Sequence, residues 1–460
     1  MSKSLDKLLY ALPVSLQNVA LSFYGLGLRR NRHAGNYGRY YAEALARAGF
    51  SREAFDGYVD TALIATLRKA IDGVPYYRRL HREGRFPIEK VRGVADIAAL
   101  PLLEKSEVRR DPQQLVSEAH DVKDLSVINT TGTTGTPLRI YCNAEVRQKN
   151  YAFHDRFLAM SGIDRKGLRA TIGGRIIIPA AHRDPPFWRY SYFQNNVLFS
   201  SYHLNAGNIE AYIGKLRSLR PDHIDSYPSS VYTIASHAKR RGIPLSGITK
   251  AIMTSGETLF DDQKAVIEEQ FGVTVFDQYG CAEMSVLVTS CAQGTYHVHS
   301  DFGILEILNS NGEIAGDGEE GEIVCTSLIN DVMPLIRYRI GDRAVAGARR
   351  CPCGSALPTV ARVLGRDDDV ILTPGGDRVG RLSPVLKGFP VKEAQYVQEK
   401  LDEVKVVLVP DPAYGAADEA RLVQELRMRL GNEMKIEFQY VERIERGKGG
   451  KLKSIVSRLK

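Results

Sequence analysis

Six cysteines in 460 residues are too few, and too irregularly spaced, for a disulfide framework. Only Cys351 and Cys353 stand at a motif-like distance, so the chain reads as a protein of a reducing, cytoplasmic compartment. No internal repeat is found. No Gly-Lys-Ser/Thr follows the glycine-rich loop at Thr130, which excludes a Walker phosphate loop. No basic array interleaved with aromatics is present, and nucleic acid is not an expected partner. No uninterrupted apolar span exists either: the stretch 8–28, flanked by Lys3, Lys7, Arg29 and Arg30, is broken by Pro13, Gln17 and Asn18. No small-residue cleavage site follows it, so no cleaved leader is expected. It reads as an amphipathic helix docked on the protein, with contact to a membrane surface as the alternative.

The composition is that of an ordinary globular chain, 43% hydrophobic and 25% charged, with enough apolar material for a sizeable core. A formal charge of +8 suits anionic ligands such as nucleotide phosphates, and a solvated basic surface explains it equally simply. The length fits a large domain plus a smaller one.

Residues 1–110 carry apolar positions at helical spacing, notably 39–48 and 58–71. Beyond residue 125, β-rich runs alternate with helices. Strands are expected at 125–129, 223–227, 249–253 and 273–278. Each ends in a polar loop, and such tips gather into one pocket at the carboxyl ends of an open sheet. A strand pair at 303–308 and 321–327, joined by a turn at 309–312, is expected beyond that sheet. Four charged residues, Arg366 to Asp369, mark a boundary. After it come a strand at 404–409, a helix at 418–430 stopped by Gly431, and a strand at 435–441. The fold class is therefore α/β: sheets flanked by helices in a large N-terminal domain (1–366), then a small α+β domain (367–460).

The strongest local signal is Thr130-Thr131-Gly132-Thr133-Thr134-Gly135-Thr136-Pro137. Glycines let backbone N–H groups turn inward and hydroxyls add donors, a combination suited to a polyphosphate. The loop resembles the Thr/Ser-Gly-Thr-Thr-Gly-x-Pro signature of the adenylate-forming ligases. Further resemblances follow in that family's order. Tyr279-Gly280-Cys281-Ala282-Glu283 is similar to its Tyr-Gly-x-Thr-Glu motif, and Tyr338-Arg339-Ile340-Gly341-Asp342 to its Tyr-Arg-x-Gly-Asp motif. Gly365 to Asp369 resembles its hinge and Gly450-Lys451 its C-terminal lysine motif. Val74 to Arg78, Leu100 to Lys105 and Ser226 to Ser230 resemble the phenylacetate–CoA ligase-like branch, including its polysaccharide-biosynthesis (CapK-like) members.

The resemblance implies ATP and Mg²⁺ as partners in activating a carboxylic acid. Thr130, Thr131, Gly132, Thr133, Thr134 and Gly135 would cradle phosphates. Glu283 would ligate Mg²⁺, which favours a few carboxylate oxygens plus phosphate and water. Asp342 would hold the ribose diol, a salt bridge to Arg339 or Arg343 being the plainer role. Tyr279 and Gly280, with Gly256 and Glu257, would line the adenine end. Lys451 would neutralise charge developing on the reacting oxygens, with Lys448 as its rival. Arg366 and the hinge at Asp368 would serve the rotation of the small domain. Two positions depart from the pattern: Ala282 replaces a threonine and Thr136 a lysine.

Cys351 and Cys353 on one turn, with Cys291 and His297 from another, would make a closed Cys₃His zinc site. The branch carries a similar set; unligated buried cysteines are the alternative. For the acid, Tyr227, Ser229 and 173–179 are the candidate lining. The acyl acceptor is open between CoA, an amine and a carrier thiol. A binding protein without catalysis is the reading from another class, and a homodimer is common among such enzymes.

Overall fold

The computed structural model describes residues 10–129, 138–179, 182–205, 207–347, 351–365, 370–380, 382–386, 389–442, 444 and 455–459. The N-terminal quarter is helical, as its spacing predicts. In helix Arg52–Gly73 the buried residues Phe55, Val59, Leu63, Leu67 and Ala70 form one stripe. The Ser51 hydroxyl accepts from the Ala54 N–H at 3.3 Å and starts the helix. The helix stops at Val74, because Pro75 disfavours helical backbone before it; Pro75 then opens the next helix, Pro75–Arg82.

Twelve strands form the central sheet. Its middle is parallel: Asn196–Ser200, Arg169–Gly173, His223–Ser226, Ala251–Ser255 and Val275–Gly280 lie side by side in that order. Their carboxyl ends therefore share one edge. One face is covered by helices Ile209–Leu219, Pro228–Arg241 and Asp261–Phe271, which close a core around Ile224, Ile252 and Val275. On the other face Phe157 and Leu158 of helix Ala144–Met160 pack on Ala251, Met253 and Phe276. Strands expected at 249–253 and 273–278 lie two residues later, since Gly272 caps the preceding helix in a left-handed turn.

Two expectations are corrected. The strand Ser126–Asn129 belongs to a separate two-stranded hairpin with Arg139–Cys142, not to the central sheet. The pair Gly303–Leu308 and Glu320–Ser327 is not beyond the sheet but at its end, joined through Tyr338–Ala346 and Thr359–Gly365. The sheet simply turns antiparallel after Val275–Gly280, where Leu287–Ser290 pairs in the reverse sense.

A further sheet is formed by Lys435–Tyr440, Glu403–Pro410, Val391–Lys400 and Ile455–Ser457, packed on helix Ala416–Leu430 around Leu422, Leu426 and Tyr396. In this sheet, sequence reading missed the strands Val391–Lys400 and Ile455–Ser457; in the first, Ala394 and Tyr396 alternate with polar residues.

Helix Val14–His33 docks the other way round from expectation. Its buried residues are Gln17, Asn18, Ser22 and Gly25. Gln17 Oε1 accepts from Arg189 Nε at 2.7 Å, Asn18 Oδ1 from Tyr190 N–H at 2.9 Å, and Ser22 Oγ from Tyr192 N–H at 3.0 Å. These bonds tie the helix to the sheet's last strand, Trp188–Ser191, and the turn after it. Leu16, Val19 and Phe23 are left exposed. No described helix is long and apolar enough to cross a membrane.

Candidate functional site

Residues from two distant motifs meet at the carboxyl end of Val275–Gly280. Tyr279 donates its hydroxyl to Asp342 Oδ2 at 2.8 Å, and Tyr338 donates to Glu283 Oε1 at 3.2 Å. Burial pushes both phenols above their ordinary value, helped by Asp342 beside Tyr279 and by Glu283 beside Tyr338. Both therefore stay protonated donors to the carboxylates. Glu283 is only 5% exposed, and its Oε2 has no hydrogen-bond partner among the described residues. A buried carboxylate with one oxygen held and one open suits a Mg²⁺ ligand. Asp342 follows Gly341, whose φ of +82° makes the turn that presents it. The neighbouring arginines are engaged elsewhere: Arg339 Nε bonds Glu322 at 3.0 Å and Arg343 pairs with Glu320.

Gly256 has a φ of +80° at the end of Ala251–Ser255, and Glu257 Oε2 accepts from Ser229 N–H at 3.1 Å. The tips of three adjacent strands are thus brought together: 227–229, 255–257 and 278–280. Cys281, inside the motif, is inert. Burial and the nearby Glu283 raise its thiol to about 12, and it contacts Ser285 Oγ at 3.2 Å. Thr130 to Gly135, Arg366, Asp368, Lys448 and Lys451 lie outside the described residues.

Sequence reading missed most of the cavity beside this end. It occupies about 380 Å³ between the sheet and the helices Val14–His33 and Ala144–Met160. Gln278, one residue before Tyr279, lines it, and its Oε1 accepts from His154 Nδ1 at 3.1 Å. Arg32, Arg169, Arg175, Asn196 and Asp225 also line it. Of the expected acid-pocket stretch, Gly173 to Arg175 reaches the cavity. Tyr227 instead packs over Gly174: a Cβ added there would stand 2.4 Å from the Tyr227 hydroxyl. One signal was available in the sequence, an arginine and a threonine alternating with buried Ala170 and Ile172 in a parallel strand.

A third cluster joins Cys291, His297, Cys351 and Cys353, whose ligand atoms all lie within 4.8 Å of one another. The Cys291 and Cys351 sulfurs are 3.7 Å apart, and Cys353 Sγ is 3.3 Å from His297 Nε2. His297 Nδ1 is 3.4 Å from the Leu357 carbonyl, so Nε2 is the nitrogen turned toward the thiols. His299, two residues on, is absent from the cluster and contacts Thr289 and Arg156 instead.

Residues 371–458 match the CapK C-terminal domain family. Protein CapK of Staphylococcus aureus is 26% identical over 97% of this chain and 98% of its own length. A phenylacetate–coenzyme A ligase of Thermus thermophilus is 23% identical over 83% of this chain and 92% of its own. Among solved structures, 2-hydroxyisobutyryl-CoA ligase with 2-HIB-AMP and CoA superposes with a TM-score of 0.62 at 21% identity, covering 89% of this chain and 91% of that one. At that identity the likeness is one of fold.

Proposed function

We propose that this chain, a member of the phenylacetate–CoA ligase-like family of adenylate-forming enzymes and a homologue of CapK, activates a carboxylic acid with MgATP and then transfers the acyl group to a nucleophile. The observation that carries this reading is the convergence of Tyr279 with Asp342 and of Tyr338 with Glu283, beside a cavity of acid-substrate size. In the first step a carboxylate oxygen attacks the α-phosphorus of ATP and the bond to pyrophosphate breaks. In the second, a nucleophile attacks the carbonyl carbon of the mixed anhydride and AMP leaves. Asp342 would accept the ribose hydroxyls while Tyr279 fixes its orientation. Glu283 would hold Mg²⁺, which screens the phosphates as the carboxylate approaches. Gly256, Glu257, Tyr279 and Gly280 would line the adenine end, and Thr130 to Gly135 the phosphates. Arg366 and Lys451 complete the set, on either side of a hinge near Asp368 that lets domain 367–460 turn against 1–366 between the two steps.

Full-length similarity to CapK supports an amine or carrier thiol as acceptor, in glycan assembly. Similarity to phenylacetate–CoA ligases supports CoA. Pyrophosphate release with MgATP across a panel of carboxylic acids, with and without CoA, tests the whole reading. Acid-dependent release, lost in Asp342→Ala, is the expected result; turnover that needs CoA selects the thioester product. ATP binding with no release for any acid would favour a binding protein without catalysis.

Two further parts of the proposal rest on separate observations. Cys291, His297, Cys351 and Cys353 fit a structural Zn²⁺ by donor type and spacing. The outward apolar stripe of helix Val14–His33, with Arg29 and Arg30 exposed near its end, fits peripheral contact of a cytoplasmic protein with an anionic membrane. Phe23→Glu should reduce co-sedimentation with vesicles containing a third phosphatidylglycerol by at least about fivefold, since it places a charge where an apolar ring would insert. No sedimentation of the unmodified chain, together with a dimer that Phe23→Glu dissociates, would assign the stripe to self-association instead.

A further inference from the structure

The cavity beside Gln278 is lined in a way that names its occupant more closely. Three guanidinium groups border it from separate elements: Arg32 from helix Val14–His33, Arg169 from strand Arg169–Gly173, and Arg175 just beyond that strand. Asp225 is the one carboxylate among the lining residues. None of the ion pairs among the described residues involves Arg32, Arg169 or Arg175. The Nε atoms of Arg32 and Arg169 are buried without a hydrogen-bond partner among the described residues. What holds the arginines is aromatic: Arg32 lies 4.3 Å from the centre of the Tyr151 ring, and Arg175 lies 5.5 Å from that of Tyr24. Burial lowers the Arg32 pKa, and the charges of Arg147, Arg175 and Arg169 lower it further.

Like charges gathered around one partly open cavity, with buried donors left unpaired, are stable when an anion completes them. An aryl or alkyl group placed there would take water from the guanidinium groups and return no hydrogen bond. Leu198 and Leu287 are the only aliphatic side chains of the lining, whereas Asn196 and Gln278 add amides. We infer that the acid taken by this chain bears a second anionic group, a carboxylate or a phosphate, seated among Arg32, Arg169 and Arg175, with its hydroxyls met by the amides. This substrate class rests on the adenylation reading, in which the remaining carboxylate points toward the end of Val275–Gly280.

Isothermal titration calorimetry on the full chain separates the possibilities, using matched pairs. Glutarate and pentanoate differ by one carboxylate, 3-phosphoglycerate and glycerate by one phosphate, and phenylacetate represents the apolar acids. At least one dianion should bind tenfold or more tighter than its monoanionic partner and tighter than phenylacetate. Arg169→Gln and Arg175→Gln, each checked for an unchanged melting profile, should each remove tenfold or more of that affinity. Which pair shows the effect tells carboxylate from phosphate. Phenylacetate or pentanoate binding as tightly as the dianions overturns the inference. So does a dianion affinity that both variants leave intact, or no dianion binding at all. Pyrophosphate release supported by apolar acids alone would remove the inference and leave adenylation standing. Dianion binding without release for any bound acid would do the reverse.

Discussion

Lys451→Ala should lower acid-dependent pyrophosphate release by roughly 100- to 1,000-fold, the usual cost of removing one preorganised donor from a developing oxyanion. The argument is electrostatic. As the acid's oxygen bonds to the α-phosphorus, negative charge accumulates on the bridging oxygen of the departing pyrophosphate. Of the groups at the described end of the site, Asp342 and Glu283 are anions and Tyr279 and Tyr338 are neutral donors already turned toward them. A cation for the reacting oxygens therefore has to come from elsewhere, and in the proposed mechanism Lys451 would supply it. The loss should fall on kcat with little change in the KM for ATP, because the contact is made in the transition state alone. Transfer from chemically prepared acyl-adenylate should be nearly unaffected, since the proposed rotation would take Lys451 away with the small domain before the second step. Lys448→Ala provides the control: a loss as large as that of Lys451→Ala would show that the register had been assigned to the wrong lysine. Equal loss in both half-reactions would argue against any rotation of the small domain.

The residues proposed for the nucleotide end could be singled out in sequence because they lie in contiguous motifs. Tyr279, Gly280 and Glu283 sit within five residues, and Asp342 ends a motif of similar length. What the motifs could not convey is who holds whom. Asp342 is bonded by Tyr279, and Glu283 by Tyr338, so each motif's carboxylate takes a tyrosine from the other. The cavity proposed for the acid was nearly invisible for the opposite reason. Arg32, Arg169 and Gln278 are brought together only by strand order and by helix Val14–His33 lying across the sheet, and no local pattern records that order. That helix also shows how hydropathy misleads. Gln17 and Asn18 read as interruptions of an apolar span, yet Gln17, Asn18 and Ser22 are the docking face, because the edge of a sheet offers hydrogen bonds rather than apolar surface. In the small second sheet, by contrast, the strands near 404–409 and 435–441 and the helix near 418–430 were legible, whereas Val391–Lys400 and Ile455–Ser457 were not.

The Cys₃His cluster leads to the second large effect, one of stability. The protein purified without chelator should carry about one zinc per chain by mass spectrometry of the metal, and Cys351→Ser with Cys353→Ser should carry none. Geometry gives the reason. Tetrahedral zinc with Zn–S bonds of about 2.3 Å places two sulfurs about 3.8 Å apart. Cys291 and Cys351 stand at 3.7 Å, close to that edge and far outside the roughly 2.05 Å of a disulfide. Burial raises the Cys351 thiol, but hydrogen bonds from Thr295, Cys353 and His297 outweigh it and bring the group below its ordinary value, toward the thiolate a metal needs. The four ligands come from the end of strand Leu287–Ser290, from strand Tyr296–Val298, and from the turn before Thr359–Gly365. The middle strand of these pairs with both of the others. Loss of the metal would therefore free the end of the sheet that leads into the proposed hinge. A structural zinc contributes folding free energy directly, and releasing one corner of a large domain rather than a whole finger should cost about 2–4 kcal/mol. For a chain of this size that is a fall of roughly 2–4 °C in melting temperature, with a broadened transition. Because no cluster residue contacts the Tyr279–Asp342 pair, adenylation at low temperature should survive the double substitution. A metal-free wild-type protein that melts where the zinc-loaded one does would sink the structural role and return the four residues to ordinary buried thiols and an imidazole.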